Sequence, residues 1–163
     1  AAHMAQDKRK KNFGDVVIHR AVAKSSIKIP WADVSIQAGF PSPADDYIAA
    51  PIDLNRELIA NPASTFLGRI RGDSMIDAGI FDGDLVVVDK ALSPRSGDVA
   101  VCFIDGEFTI KYIKFQNKSI LLIPANKEFS PIRVTADNEF MIWGIVTYSI
   151  RRHRAGGRAR CSD

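Results

Sequence analysis

A β-hairpin centred on Asp105-Gly106 is the feature that most constrains how this chain can fold. Two apolar-rich runs, 99–104 and 108–115, flank this dipeptide. Asp-Gly favours a type I′ turn, because both central residues of that turn need a positive φ. The pattern therefore predicts two antiparallel strands joined by a tight turn.

Alternation along the second strand decides where its two lysines point. One face carries Thr109, Lys111, Ile113 and Phe115, and the other carries Phe108, Ile110, Tyr112 and Lys114. Lys111 is therefore predicted to lie beside apolar neighbours, where burial would lower its pKa by disfavouring the ammonium form. An edge-strand lysine that extends to water is the alternative, and the hairpin pattern alone does not separate the two.

A serine lies in the polar stretch Gly72-Asp73-Ser74-Met75. A serine hydroxyl is a poor nucleophile until a neighbouring base accepts its proton, and a neutral lysine can be that base. Ser74 and Lys111 could therefore form a catalytic pair without histidine. Gly-Asp-Ser is equally compatible with a polar turn or a helix cap. If a short helix opens over 74–80, the backbone amides of Ser74 and Met75 are candidate oxyanion donors.

A candidate scissile bond lies upstream, at Ala38-Gly39. Alanine suits a shallow pocket, and glycine lets the backbone approach a nucleophile closely. Pro41 and Pro43 bias the following chain toward extended conformations. An ordinary Gly-Pro loop has the same composition, so the segment becomes a substrate only in combination with the serine and the lysine. Together these features predict a protein that cuts itself.

Several separated blocks of the sequence resemble the LexA/UmuD family of self-cleaving serine peptidases. In chain order they are AGFPSPADDY (38–47), IDLN (52–55), FLGRIRGDSMIDAGI (66–80), DGDL (82–85), DGEFTIK (105–111) and LIPAN (122–126). The resemblance implies that Ser74 is the nucleophile, that Lys111 is the general base and that Ala38-Gly39 is the bond cut. The UmuD branch commonly has Cys-Gly at the cut, whereas Ala-Gly is the LexA form. Both first residues are small.

The resemblance also implies a role in the SOS response. RecA filaments on single-stranded DNA would stimulate the cut, and the shortened chain would be the accessory subunit of a UmuC-type translesion DNA polymerase. A homodimer is implied as well. The alternative is a LexA-like transcriptional repressor, or its C-terminal fragment, inactivated by self-cleavage. The segment 5–38 is too short for a winged helix-turn-helix domain, so we favour the accessory subunit.

The order of short apolar segments predicts a mainly β fold, with a compact LexA/UmuD-type C-terminal peptidase domain and an extended N-terminal arm. The predicted strands are 66–71, 85–89, 99–104, 108–115, 120–123 and 140–149, separated by turn residues. Residues 1–4 resemble a cloning remnant, and 5–61 form the arm, with no convincing period up to about residue 29 and one or two helical turns at 53–59. The peptidase domain is predicted over 62–150 and a basic tail over 151–163.

Composition excludes several classes of protein and site. Hydrophobic residues make up 46% of the 163 residues, which supports a real core. No apolar run approaches the roughly 20 residues that span a membrane, and no signal-peptide pattern is present. We therefore expect a cytoplasmic protein without membrane contact. Cys102 and Cys161 form no disulfide framework, and no zinc spacing or Gly-rich phosphate loop occurs, so we expect no metal or organic cofactor.

The net charge of +3 is concentrated at the two ends of the chain. One basic cluster covers residues 8–11, and the other has arginines at 151, 152, 154, 158 and 160. Such ends are usually solvated tails, although they can also contact nucleic acid or acidic protein surfaces. No aromatic residues are interleaved with the arginines, so we do not expect direct DNA binding.

Overall fold

Ten β-strands and one short α-helix are present in the described residues, 14–20, 28–32 and 48–154, of this computed structural model. The strands are β1 Val16–Arg20, β2 Lys28–Ala32, β3 Ile48–Asp53, β4 Thr65–Ile70, β5 Leu85–Asp89, β6 Val99–Ile104, β7 Glu107–Gln116, β8 Ser119–Ile123, β9 Ile132–Val134 and β10 Phe140–Ile150. The helix α1 is Leu54–Leu58, and single 3₁₀ turns lie at Pro62–Ser64 and Ile76–Ala78. The mainly β fold class predicted from the sequence is confirmed.

Eight of these strands form one antiparallel sheet in the order β1-β4-β5-β10-β6-β7-β8-β9, and β2 and β3 form a separate pair. The eight-stranded sheet curls, because the chain just before β1 also reaches β7. The N–H of Gly14 donates to the carbonyl of Phe108 over 2.9 Å. This curvature brings the end of β4 and the middle of β7 to opposite sides of the same short segment.

Two clusters of buried side chains form the core. Alternate residues of β6 and β7 enter different clusters, so both faces of these central strands are covered. The first cluster contains Val16, Ile70, Met75, Ile80, Val86, Val88, Val101 and Ile110. The second contains Ala100, Cys102, Ile104, Ile113, Leu122 and Ile145.

The Asp105-Gly106 hairpin is confirmed. Asp105 has a φ of 49° and Gly106 a φ of 89°, as a type I′ turn requires. The turn joins β6 to β7 with Ile104 opposite Glu107. The register that follows fixes which face of β7 each side chain occupies.

The other predicted strands lie within a residue or two of the observed ones, and α1 falls inside the predicted helical stretch. Its N-cap is Asp53, whose Oδ1 accepts from the N–H of Asn55 over 3.0 Å. The stretch up to about residue 29 has no convincing period in the sequence, yet it contains β1 and the start of β2. The strands β3 and β9 were also missed. No helix within the described ranges is long and apolar enough to cross a membrane.

Arg151 is packed against the domain and is not part of a solvated tail. Its guanidinium donates to Asp84 and to the carbonyl of Gly79, and it lies 3.6 Å from the ring centroid of Phe81. The stack and the ion pair hold the end of β10 against the loop that follows the Ile76–Ala78 turn. The first basic cluster and residues 155–163 lie outside the described residues.

Candidate active site

Ser74 lies in the turn after β4, and a neighbouring loop holds this turn in place. The N–H of Ala125 donates to the carbonyl of Ser74 over 2.8 Å, and the carbonyl of Ala125 accepts from the N–H of Asp77 over 2.8 Å. The side-chain amide of Asn126 donates to the carbonyl of Asp73 over 2.8 Å. Ser74 is 4% exposed. Its hydroxyl therefore occupies a defined position beneath the surface.

Lys111 lies in the middle of β7 and is completely buried, with 0% exposure. Thr109 and Ile113 share its face of the strand and are also buried, whereas Lys114 is exposed. The alternation predicted from the hairpin is therefore confirmed, and the alternative of an edge lysine extending to water is wrong for Lys111. Phe115, which the alternation placed on the same face, is exposed because this end of β7 leaves the core.

The fold brings the two candidate catalytic side chains together. The Nζ of Lys111 lies 3.3 Å from the Oγ of Ser74. One group comes from the turn after β4 and the other from β7, and these elements meet because the sheet curls. The distance is close enough for proton transfer between a serine hydroxyl and a lysine amine.

A third ionisable group, which the sequence analysis missed, lies between them. The Oδ2 of Asp15 is 2.7 Å from the Nζ of Lys111 and accepts from the Oγ of Ser74 over 2.8 Å. Its Oδ1 accepts from the N–H of Ile110 over 2.9 Å, and its backbone carbonyl accepts from the N–H of Arg71 over 2.7 Å. Both carboxylate oxygens and the backbone of Asp15 are thus anchored in the site.

Thr109 is a further polar neighbour that sequence reasoning placed on the correct face but gave no role. The Nζ of Lys111 donates to its Oγ1 over 2.7 Å. A threonine two residues before a buried lysine on the same strand face is a signal that alternation could have found. No comparable local signal marks Asp15, which stands in a stretch without periodicity.

The hydrogen bonds favour one arrangement of protons in the site. A carboxylate only accepts, so the hydroxyl proton of Ser74 points to Asp15. The contact between Lys111 and Ser74 must then be donated by the lysine, which also donates to Thr109 and Asp15. Opposite an Asp15 carboxylate, this set of contacts suits the ammonium form of Lys111. Proton transfer from the serine needs the opposite polarity, with a lone pair on Nζ.

Burial and charge act in opposite directions on Lys111. Burial lowers the pKa of Lys111 below its ordinary value, and the neighbouring carboxylate of Asp15 acts against this decrease. Cys102 lies close enough to interact with both charges, and burial raises the pKa of its thiol to about 12. The thiol is neutral near pH 7, so the carboxylate of Asp15 is the counterion of the lysine.

The candidate oxyanion donors lie beside the serine. The predicted helix over 74–80 is reduced to a single 3₁₀ turn, Ile76–Ala78, that begins after Met75. Within the described ranges, the backbone amides of Ser74 and Met75 donate to no backbone carbonyl.

The bond Ala38-Gly39 lies outside the described residues. The part of the chain that the structure describes contains no group of three or more side chains suited to hold a metal ion.

Comparison with known proteins agrees with this arrangement. Residues 30–147 match the Peptidase S24-like family. The chain is 44% identical to the protein ImpA of Escherichia coli over 119 residues, covering 72% of this chain and 80% of ImpA. It is 39% identical to MucA of Escherichia coli over 126 residues, covering 77% and 86% respectively. It is 40% identical to the LexA repressor of Alcanivorax borkumensis over 116 residues, covering 71% and 56%. The chain therefore belongs to the S24 family of LexA/UmuD-type self-cleaving serine peptidases.

Proposed function

We propose that this chain is an SOS-response peptidase that cuts its own Ala38-Gly39 bond, with Ser74 as nucleophile and Lys111 as general base. The observation that carries the proposal is the 3.3 Å contact between Ser74 Oγ and Lys111 Nζ in a buried site. Full burial of a lysine is rare because it disfavours the charged form, and a general base needs the neutral form. Burial of Lys111, which is unfavourable for a charged lysine, is thus consistent with a role as general base.

The cut proceeds in two steps. Neutral Lys111 accepts the proton of Ser74, and the Oγ attacks the carbonyl carbon of Ala38. The amides of Ser74 and Met75 stabilise the oxyanion. The tetrahedral intermediate then collapses, and Lys111 returns the proton to the departing nitrogen of Gly39. Water, deprotonated by the same lysine, hydrolyses the acyl-serine and leaves a free carboxyl group on Ala38.

Burial of the lysine sets the pH at which this chemistry runs. With an unperturbed pKa of about 10.4, roughly one lysine in a few thousand is neutral at pH 7. Burial lowers the pKa of Lys111 and therefore enlarges that fraction. The carboxylate of Asp15 stabilises the protonated form of Lys111 and so keeps the spontaneous reaction slow until the site rearranges.

Mass spectrometry of Ser74→Ala tests the proposed nucleophile. The wild-type chain and the variant are incubated at pH 7 and at pH 10 and their intact masses compared. The wild type should give two fragments split after Ala38, faster at pH 10, and the variant should stay whole. Ser149→Ala, which removes an exposed hydroxyl, is the matched control and should be cut normally. Fragments of Ser74→Ala with the same boundary would overturn the assignment.

Gly39→Val tests the proposed scissile bond without touching the buried site. A β-branched residue after the cut would hinder the close approach of the backbone to the serine. The variant should resist cleavage at both pH values and unfold at the wild-type temperature. Cleavage of this variant at another bond would place the scissile bond elsewhere while leaving the catalytic pair intact.

The cut is proposed to convert the chain into the accessory subunit of a UmuC-type translesion DNA polymerase, acting as a homodimer. The similarity to ImpA and MucA, which spans 80% and 86% of those two proteins, supports this choice. A chain beginning at Gly39 should bind the polymerase and support lesion bypass, and uncut Ser74→Ala should do so much less. Equal bypass by the two would rule out cleavage as the switch.

RecA filaments on single-stranded DNA are proposed to accelerate the cut near neutral pH by favouring a cleavable conformation of the arm. The buried pair already supplies a nucleophile and a base, so the filament need add no catalytic group. Filaments should raise the wild-type rate and have no effect on Ser74→Ala. Cleavage of Ser74→Ala in their presence would show that a different nucleophile acts.

A LexA-like repressor is the second candidate, favoured by the 40% identity to the LexA repressor of Alcanivorax borkumensis. In that case the uncut Ser74→Ala protein would bind a specific duplex sequence with high affinity. A gel-shift assay over random duplexes distinguishes the two roles. Only non-specific, salt-sensitive binding is expected for the accessory subunit.

A further inference from the structure

The segment of residues 14–20 occupies the cleft in which the catalytic pair lies. Its strand β1 adds to the edge of β4, with Val16 opposite Ile70 and Arg20 opposite Phe66. Ahead of the strand, Gly14 bonds to Phe108 of β7. The 14–20 segment therefore bridges the two elements that carry the serine and the lysine.

The carboxylate of Asp15 occupies space next to both catalytic atoms, which a reacting peptide group must also approach. Its Oδ2 is 2.8 Å from the Oγ of Ser74 and 2.7 Å from the Nζ of Lys111. A carbonyl carbon poised for attack must come within about 3–3.5 Å of the same Oγ. The carboxylate therefore takes up part of the space around this Oγ and also the direction in which the hydroxyl donates its proton.

The same carboxylate also holds the protons of Ser74 and Lys111 in an arrangement from which the serine cannot be activated. It accepts the hydroxyl proton of Ser74 and stabilises the ammonium form of Lys111. The ionisable groups facing the ammonium are Asp15, from the residue before β1, and Cys102, from β6. Because the thiol of Cys102 is neutral below about pH 12, the charge of Asp15 governs the lysine.

We propose that the 14–20 segment is an internal ligand of the active-site cleft, and that its Asp15 carboxylate holds Ser74 and Lys111 in a non-cleaving state until the segment withdraws. The ligand class is an extended peptide that adds to the β4 edge through its backbone and places a carboxylate between the hydroxyl and the amine. The inference rests on the proposed catalytic roles of Ser74 and Lys111. It assigns a regulatory role to a part of the arm distinct from the bond that is cut.

The first test is the cleavage rate of the whole chain carrying Asp15→Asn. Asparagine keeps the shape of the side chain but leaves the buried ammonium without a counterion, which favours the neutral lysine. The variant should cleave at least tenfold faster than wild type at pH 7.5. Asp137→Asn, which removes an exposed carboxylate, should stay within twofold of wild type. An unchanged or slower rate for Asp15→Asn would overturn the inference.

The second test does not depend on cleavage. In the Ser74→Ala chain, the titration of Lys111 is followed by NMR of ¹³C-labelled lysine, with Lys111→Met identifying the resonance. Adding Asp15→Asn should lower the titration midpoint by at least one pH unit. No decrease would overturn the contact itself. A decrease without faster cleavage in the Ser74-containing chain would overturn its inhibitory role.

The third test loosens the segment and leaves Asp15 in place. The carbonyl of Asp15 accepts from the N–H of Arg71, directly after β4. Hydrogen-bonded positions alternate along an antiparallel pair, so the backbone of Val17 also faces β4. The side chain of Val17 is 40% exposed. Val17→Pro removes a ladder N–H and should raise the cleavage rate severalfold. Val17→Ala keeps the N–H and should raise it less. Equal rates for both variants would overturn the role of strand addition.

The failure of this inference can be told apart from the failure of the proposed function. If Ser74 and Lys111 are not the catalytic pair, the Asp15→Asn/Ser74→Ala double variant will be cut as fast as Asp15→Asn alone. If the pair is catalytic but the segment is not inhibitory, the double variant will stay whole and Asp15→Asn will match wild type. Faster cleavage of Asp15→Asn, abolished by Ser74→Ala, supports both.

Discussion

Two ion pairs in this molecule show how burial changes what a salt bridge does. Lys111 and Asp15 are 2.7 Å apart, with side chains 0% and 9% exposed. Arg151 and Asp84 are 3.2 Å apart; the side chain of Asp84 is only 4% exposed, but a third of the arginine side chain, 33%, is exposed. The first pair joins the arm to the catalytic strand, and the second joins the end of β10 to a surface loop.

The chemistry of the two cations explains their different roles. Arginine stays protonated at any ordinary pH, and its planar fork bonds to Asp84 and Gly79 while stacking on Phe81. That pair can only hold structure together. A buried lysine can lose its proton when its counterion leaves, so the pair of Lys111 with Asp15 can switch between two chemical states. We infer that the pair with the partly exposed arginine stabilises the fold, whereas the pair with the fully buried lysine regulates.

The largest expected effect comes from breaking the buried pair on the lysine side. Lys111→Met fills much of the same volume without an amine, so no base can accept the proton of Ser74. Spontaneous cleavage should fall by at least about a thousandfold, within the range expected when a general base is lost. Intact-mass measurements over several days at pH 10 would detect the residual rate.

Lys114→Met is the control for this change. Lys114 lies on the same strand but is exposed, so its removal should leave the cleavage rate within twofold of wild type. Circular dichroism should show that both variants are folded, although Lys111→Met should be the less stable one, because removing one partner of a buried ion pair leaves the carboxylate of Asp15 uncompensated. Loss of activity in Lys114→Met would contradict the assignment of the base to Lys111.

The pH profile of cleavage is the next largest effect. Below the pKa of Lys111 the neutral fraction rises tenfold per pH unit, so the logarithm of the rate should increase with a slope near one. Because the pKa of Lys111 is lowered, the rate should level off below the ordinary lysine value of about 10.4. Arg151→Lys should leave the profile unmoved. A flat rate from pH 6 to pH 10 would argue against a lysine base.

Stability should depend on pH through the same group. The folded pKa of Lys111 is below the unfolded one, so between these two values the unfolded chain binds more protons. The free energy of unfolding should therefore rise with pH across that window, up to about 10.4, and the penalty should be fully present below the folded pKa. Chemical unfolding of Ser74→Ala measures this rise, and Lys111→Met in the same background should remove it.

The sequence predicts one side of the buried pair and not the other, for a physical reason. Lys111 follows from local information, since a two-residue turn and a period of two fix its face. Ser74 follows from motif blocks that resemble a known family. Asp15 is 96 positions from Lys111 in the chain, and the contact exists only because the sheet curls and β1 adds to its edge. No local pattern in the sequence indicates a contact of this kind.

The exposed pair has the same limitation. Arg151 begins a run of arginines that suggests a solvated tail, and the residues that hold it lie about 70 positions earlier, in the loop around Phe81 and Asp84. Most strands could be predicted because turns and alternation are local. The strands β1, β2, β3 and β9 could not, since such short segments become strands only when a neighbouring edge is available to pair with them.

The smallest expected effect comes from weakening the exposed pair with Arg151→Lys. Lysine keeps the charge but loses the planar fork and the stack on Phe81, so the free energy of unfolding should fall by about 0.5–1 kcal/mol. This corresponds to a decrease of about 1–4 °C in Tm. The difference from wild type should shrink in 0.5 M salt, because a third of the guanidinium side chain is in contact with water. The cleavage rate and the effect of Asp15→Asn should persist at the same salt concentration, since Lys111 is fully buried. A salt-insensitive loss of several kcal/mol in Arg151→Lys, or a salt-sensitive cleavage rate in Asp15→Asn, would show that burial does not separate the two pairs as proposed.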